Sequence, residues 1–239
     1  KCPLFFLFLD TLSYTRYCIC LSINLTQQRK PNDVFYFSQR CVVTGGTGFV
    51  GQRLVEMLVE RGAESVVSFD IVPPSSKCWK HRKIEYVVGD ITDASAVSNA
   101  CRGADCVWHI AACVGPFHPK SLYRKVNYQG TLNVINACRT HGVPKLVMSS
   151  SPSTRMNGED IDGLTEDQLP SLPMPFYLQE YASSKALGEM ACTKANCDKL
   201  LTCAIAPHQV YGPRDNLFLP NVLEAAGSGK LRIFAKSST

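Results

Sequence analysis

The chain has no apolar run near its start that is long enough to cross a bilayer. A spanning helix needs about 20 consecutive apolar residues, and the run Pro3–Leu9 is cut off by Asp10. Basic clusters are missing too: the formal net charge of +5 is spread along 239 residues, so the electrostatic footprint of a nucleic-acid binder is absent and no such partner is expected. The sequence shows neither an internal repeat nor a low-complexity tract. Twelve cysteines are present, yet none are paired as Cys-x-x-Cys, and Cys18 and Cys20 stand too close for an ordinary chelate. No metal site is expected. Cys41, Cys106, Cys138 and Cys203 lie inside apolar runs and read as buried thiols of a reducing compartment rather than as a disulfide framework.

What remains is the composition of one sizeable core, with a hydrophobic fraction of 45%. Residues 1–40 differ from the rest and begin with Lys1 rather than Met, and they read as an extension of unassigned role. From Cys41 onward, β-branched runs alternate with helical patterns. Seven strands are expected, over Cys41–Thr44, Ser65–Asp70, Ile84–Val88, Cys106–Ala111, Lys145–Ser149, Leu200–Ala206 and Leu231–Phe234. Gln52–Arg61 and Val126–Arg139 place their apolar residues on one helical face and read as crossover helices. The expected fold class is therefore α/β, a doubly wound Rossmann-type parallel sheet over residues 41–239 with helices on both faces. Its ligand crevice should open at the carboxyl ends of the strands.

The first expected strand runs into Thr44-Gly45-Gly46-Thr47-Gly48-Phe49-Val50-Gly51, and a helix follows at once. A tight turn, a backbone close to pyrophosphate and a helix packed against the strand all call for glycine, and the helix start offers free N–H groups to the phosphates. Gly45, Gly48, Phe49, Val50 and Gly51 are thus candidate cofactor residues. Asp70 ends the second strand nineteen positions after Gly51, where a carboxylate accepts hydrogen bonds from ribose hydroxyls and repels a 2′-phosphate. That favours NAD over NADP. Asp90, at the end of the third strand, with Ile91 beside it, is placed for adenine. Ala111 and Ala112, after the fourth, are small enough to let a cofactor lie against the backbone.

A second pattern, Tyr181-Ala-Ser-Ser-Lys185, puts a phenol and an ammonium four residues apart on one helix face. The lysine charge is expected to lower the tyrosine pKa and make Tyr181 a general base, with Lys185 as its support. Together, the glycine loop, Asp70, Tyr181 and Lys185 resemble the extended short-chain dehydrogenase/reductase family over residues 41–239. That resemblance implies a hydroxyl just after the fifth strand: Ser151, four residues before Arg155, which stands at a common tyrosine position, with Ser150 as the alternative. It also implies that Asn127 supports the site through backbone hydrogen bonds and that Pro207 and His208 lie by the nicotinamide. Family members usually carry Arg where Ala206 stands.

The stretch Thr202–Lys230 and the pattern Val126-Asn127-Tyr128-x-Gly130-Thr131-x-Asn133-Val134 are most similar to the 3β-hydroxysteroid and sterol-4α-carboxylate 3-dehydrogenases. For such enzymes the resemblance implies oxidation of a 3β-hydroxyl by NAD, on the cytoplasmic face of the endoplasmic reticulum, with membrane association and a homodimer left open. A nucleotide-sugar epimerase or dehydratase and a catalytically inert NAD-binding sensor are the alternatives. Within the family, the substrate lobe follows the stretch seen here, so apolar surface is expected to be exposed over residues 210–235.

Overall fold

The computed structural model describes residues 39–115, 118–158, 164–208 and 210–230. Six strands form one all-parallel sheet: β1 (Arg40–Thr44), β2 (Ser65–Asp70), β3 (Ile84–Val88), β4 (Cys106–His109), β5 (Lys145–Ser149) and β6 (Leu201–Ile205). Their spatial order is β3-β2-β1-β4-β5-β6, with every neighbouring pair parallel. The order reverses between β1 and β4, which makes that gap the topological switch point where a doubly wound sheet binds its ligand. The expected seventh strand, Leu231–Phe234, and nearly all of the expected N-terminal extension lie outside the described residues.

Strand alternation decides which layer each residue serves. Val42, Val67, Phe69, Val107, Leu146 and Met148 point to one face, into a core shared with helices α2 (Ala94–Cys101), α4 (Thr131–Thr140) and α5 (Glu180–Lys194). Cys41, Val43, Val66 and Cys106 point to the other, against Val55, Leu58 and Val59 of α1 (Phe49–Glu60). Cys41, Cys106 and Cys138 are buried as expected, whereas Cys203 is only half-buried.

Several expected spans need correction: β1 begins at Arg40 rather than Cys41, β6 runs over Leu201–Ile205 rather than Leu200–Ala206, and α1 over Phe49–Glu60 rather than Gln52–Arg61. β4 ends at His109 rather than Ala111, because Ala111 N–H turns away to the Thr44 hydroxyl, 3.3 Å distant, instead of to a neighbouring strand. The helix expected over Val126–Arg139 begins earlier, as the short α3 (Lys120–Tyr123), and passes through a π-helical stretch, Arg124–Gly130, before α4. A widened turn of this kind frees backbone groups and re-aims side chains. Here the Thr131 hydroxyl takes up the Asn127 carbonyl at 2.7 Å.

Helix α6 (Phe218–Gly227) has no buried residue, and Leu217 and Leu223 are 52% and 67% exposed. The expected apolar surface is present over the described part of 210–235.

Candidate active site

Thr44 delivers the chain into the glycine turn. Gly45 adopts φ +72°, and a Cβ there would sit 2.8 Å from Ala111 N, so the turn can hug β4 only with glycine. Gly51 is buried, and a Cβ on it would lie 1.9 Å from the Gly45 carbonyl oxygen. The start of α1 is thereby pressed onto the loop. Gly48 caps that helix without a side-chain hydrogen bond, and no acidic residue occupies the first turn, so the N-terminal N–H groups and the positive end of the helix dipole face outward. Phe49 and Val50 open the helix, half-buried.

Asp70 ends β2 beside this turn. One carboxylate oxygen accepts from Thr47 N at 3.0 Å and the other from Val72 N at 3.0 Å. The partly exposed carboxylate is thus aimed and still has lone pairs for a ribose diol. Asp90 accepts from Thr92 N at 2.8 Å, and the buried Ile91 offers its carbonyl to Asn133 at 2.9 Å. Ala111 and Ala112 are half-buried in the loop after β4. The cradle fits a dinucleotide: anion-binding N–H groups, a ribose-binding carboxylate and small residues line one crevice.

Across the switch point stands the second group. Tyr181 and Lys185 occupy one face of α5, and Ser151 follows β5 as the side chain that favours the ionised Tyr181 phenol. The Ser151 hydroxyl also meets Ser153 Oγ at 2.8 Å. Ser150 is 5% exposed and donates to Glu189 Oε2, so of the two serines only Ser151 faces the phenol.

The expected lowering of the Tyr181 pKa is not what this arrangement produces. Burial pushes the phenol up from its ordinary value, and the Ser151 hydrogen bond offsets part of that rise. Lys185 is turned elsewhere: its Nζ donates to the Ser149 carbonyl at 2.5 Å. Burial brings its pKa down to about 8, against the opposing pull of Glu189. The ammonium therefore remains protonated at neutral pH while being easily discharged.

Asn127 is 1% exposed and binds both backbone groups of Cys113, accepting from its N at 2.7 Å and donating to its O at 3.0 Å. It also donates to Ser184 Oγ at 3.0 Å, joining the loop after β4 to α5. Behind it, His109 links the Thr44 hydroxyl, 2.7 Å from Nδ1, to the Thr131 hydroxyl, 3.0 Å from Nε2. Thr131 spends its one proton on the Asn127 carbonyl, so the His109 proton sits on Nε2. Full burial and the nearby Lys185 charge push the His109 pKa down to about 3. The cofactor turn and the Tyr181 helix thus share one buried polar chain. Pro207 is half-buried and His208 exposed in the segment after β6, next to the exposed Ala206.

Sequence reasoning passed over Glu189, which is 7% exposed on α5 and binds Arg155, with Arg155 Nη2 at 2.6 Å from Oε1. One signal was available: Glu189 stands four residues after Lys185, on a helix face otherwise lined by Ala182, Ala186 and Cys192. Tyr123 was also missed. It is buried, donates to the Gly115 carbonyl, and packs edge-on to Tyr181 with ring centroids 6.3 Å apart. Among the described residues, no group of three or more His, Cys, Asp or Glu side chains is arranged to hold a metal ion, and no helix is long and apolar enough to cross a membrane.

The profile of the 3-beta hydroxysteroid dehydrogenase/isomerase family matches residues 42–239. The chain belongs to this family. It is 38% identical over 197 residues to the human sterol-4-alpha-carboxylate 3-dehydrogenase, decarboxylating, covering 82% of this chain and 51% of that protein. It is 36% identical over 202 residues to the Arabidopsis thaliana 3beta-hydroxysteroid-dehydrogenase/decarboxylase isoform 1, covering 80% and 46%. The chain spans about half the length of these curated relatives. Among solved structures, the Thermus thermophilus UDP-glucose 4-epimerase complex with NAD superposes with a TM-score of 0.63 at 31% identity, covering 74% of this chain and 57% of that one. The family's Rossmann-type parallel sheet is the fold found here.

Proposed function

We propose that this chain is the cofactor-binding and catalytic part of an NAD-dependent 3β-hydroxysteroid or sterol dehydrogenase. The observation that carries the reading is the arrangement of Tyr181 and Lys185 on α5 beside Ser151 just after β5, on the far side of the switch point from the glycine turn. The family and its sterol-acting relatives support the substrate class.

In this reading Gly45, Gly48, Phe49, Val50 and Gly51 cradle the pyrophosphate, and Asp70 holds the adenosine ribose. Asp90 and Ile91 flank the adenine. Ala111, Ala112, Pro207 and His208 line the path to the nicotinamide, with Lys185 reaching its ribose. NAD supplies a hydride acceptor. Ser151 hydrogen-bonds the substrate oxygen and Tyr181 takes its proton, with Lys185 one helical turn further along the same face. Asn127 holds the loop that borders the reacting group.

On a substrate bearing a 4α-carboxylate, the oxidised product is a β-keto acid. It loses carbon dioxide without a dedicated residue, because the new ketone accepts the electron pair of the breaking bond.

The test is an assay of the full-length protein with NAD and NADP in parallel, against a 3β-hydroxy sterol with and without the 4α-carboxylate. NADH should form with NAD, and a keto product should accumulate. Absence of NADH with both sterols overturns the proposal. The UDP-sugar reading is favoured only by the shared fold with the epimerase, and epimerisation without net NADH would establish it instead.

A further inference from the structure

Glu189 lies beneath the site, away from the crevice. It sits two turns along α5 from Tyr181 and one from Lys185, so it shares their face. Its carboxylate is nearly all buried, which is costly unless every oxygen is satisfied. The partners that satisfy it all come from the segment around Ser151. Oε2 accepts from the Ser150 hydroxyl. Oε1 accepts from Arg155 Nη2 at 2.6 Å, and the same guanidinium reaches Thr154 Oγ1 through Nη1 at 3.0 Å.

The segment closes on itself as well. Thr154 is 0% exposed, and both its N–H, at 3.1 Å, and its hydroxyl, at 2.8 Å, donate to the Ser151 carbonyl. Ser150 N–H is held by the Ile205 carbonyl at 2.6 Å. The residues on either side of Ser151 are therefore tied to one carboxylate, and that carboxylate belongs to the helix that carries Tyr181.

We propose that Glu189 is a positioning residue for the reaction: through Ser150, Thr154 and Arg155 it fixes the Ser151 hydroxyl against the Tyr181 phenol. This rests on the reading of Ser151 and Tyr181 as the reacting pair. Neither the glycine turn nor Asp70 touches the cluster, so any effect of Glu189 on cofactor binding runs through Lys185 alone, whose charge it favours.

A double-mutant cycle in the full-length protein tests the proposal. Glu189→Ala should lower kcat about a hundredfold, the loss that follows when a reacting group is misplaced by about 1 Å, with KM for NAD changed less than about twofold. In a Ser151→Ala background the same change should have almost no further effect. Multiplying effects would show that Glu189 serves the fold alone and overturn the proposal. Glu189→Gln, which keeps an acceptor for Ser150, should restore part of kcat, and it replaces the alanine variant if that one does not fold.

A second readout needs no substrate. The absorbance titration of Tyr181, taken as the difference from Tyr181→Phe, should move to higher pH in both Glu189→Ala and Ser151→Ala, since both lose the hydrogen bond that favours the phenolate. An unmoved titration in Glu189→Ala overturns the proposal. If Ser151→Ala leaves kcat intact, the reading of the reacting pair has failed, and the titration still decides whether Glu189 positions Ser151.

Discussion

Ser150 and Ser151 are adjacent and chemically alike, yet the structure gives them opposite tasks. Ser150 is buried and bonded to Glu189, while Ser151 is half-exposed beside Tyr181. Their alanine variants should separate accordingly. Ser151→Ala should reduce kcat about a hundredfold, within the range for a group assisting proton transfer, with little change in thermal unfolding. Ser150→Ala leaves a buried carboxylate short of a donor and should cost about 1–3 kcal/mol of stability, measured by denaturant unfolding. The reverse pattern would transfer the proposed role to Ser150. Sequence spacing alone left both serines open because the distinction is made by Glu189, far along the chain. Tyr181 and Lys185 were legible, since a spacing of four on a helix is a local property. Their electrostatics were not: burial of the phenol and the turn of Lys185 toward Ser149 depend on how β5 packs against α5.

Among the elements, the glycine turn and the π-helical stretch set the two walls of the crevice. The turn was readable because steric demands on glycine act over a few residues: Gly45 needs a positive φ and Gly51 has no room for a side chain. Gly51→Ala should therefore weaken NAD binding at least tenfold, about 1.4 kcal/mol, or prevent folding altogether, as followed by cofactor titration and circular dichroism. Unchanged binding would mean that α1 can move off the loop. The π-helical stretch had no such mark. Only Val126 and Tyr128 are apolar within Arg124–Gly130, too few for periodicity to register a wider turn, and the extra residue is held by Thr131 donating to the Asn127 carbonyl and by contacts to Cys113 and Ser184. Those partners come from three separate segments, so periodicity could place Asn127 on the helix without showing which way it points.

For the molecule as a whole, the buried imidazole of His109 ties stability to pH. Its pKa falls from an ordinary 6.5 to about 3 in the folded chain, so between these values the unfolded chain binds more protons and stability must rise with pH. Sign and window follow: the contribution is complete above about 6.5, erodes as pH falls, and is exhausted near about 3. Urea unfolding at pH 7 and pH 5 should show the loss, and His109→Gln should flatten it. An equal slope in both proteins would refute this account. The doubly wound parallel sheet was legible from the alternation of strands and helices, and three strand spans, those of β2, β3 and β5, coincide with expectation. His109 was not, because a histidine inside an apolar strand gives no hint that hydroxyls wait for it at both ends.

The same chain of hydroxyls and imidazole has a direction. Thr44 donates to His109, His109 to Thr131, and Thr131 to the Asn127 carbonyl, so every proton points away from the glycine turn. Aligned links polarise and strengthen one another. Reversing any link would leave one neighbour facing two protons and another facing none, and the Asn127 carbonyl at the end can only accept, so the row cannot turn over. The crevice floor is therefore a one-way wire of dipoles whose sense is set in the interior before any ligand arrives.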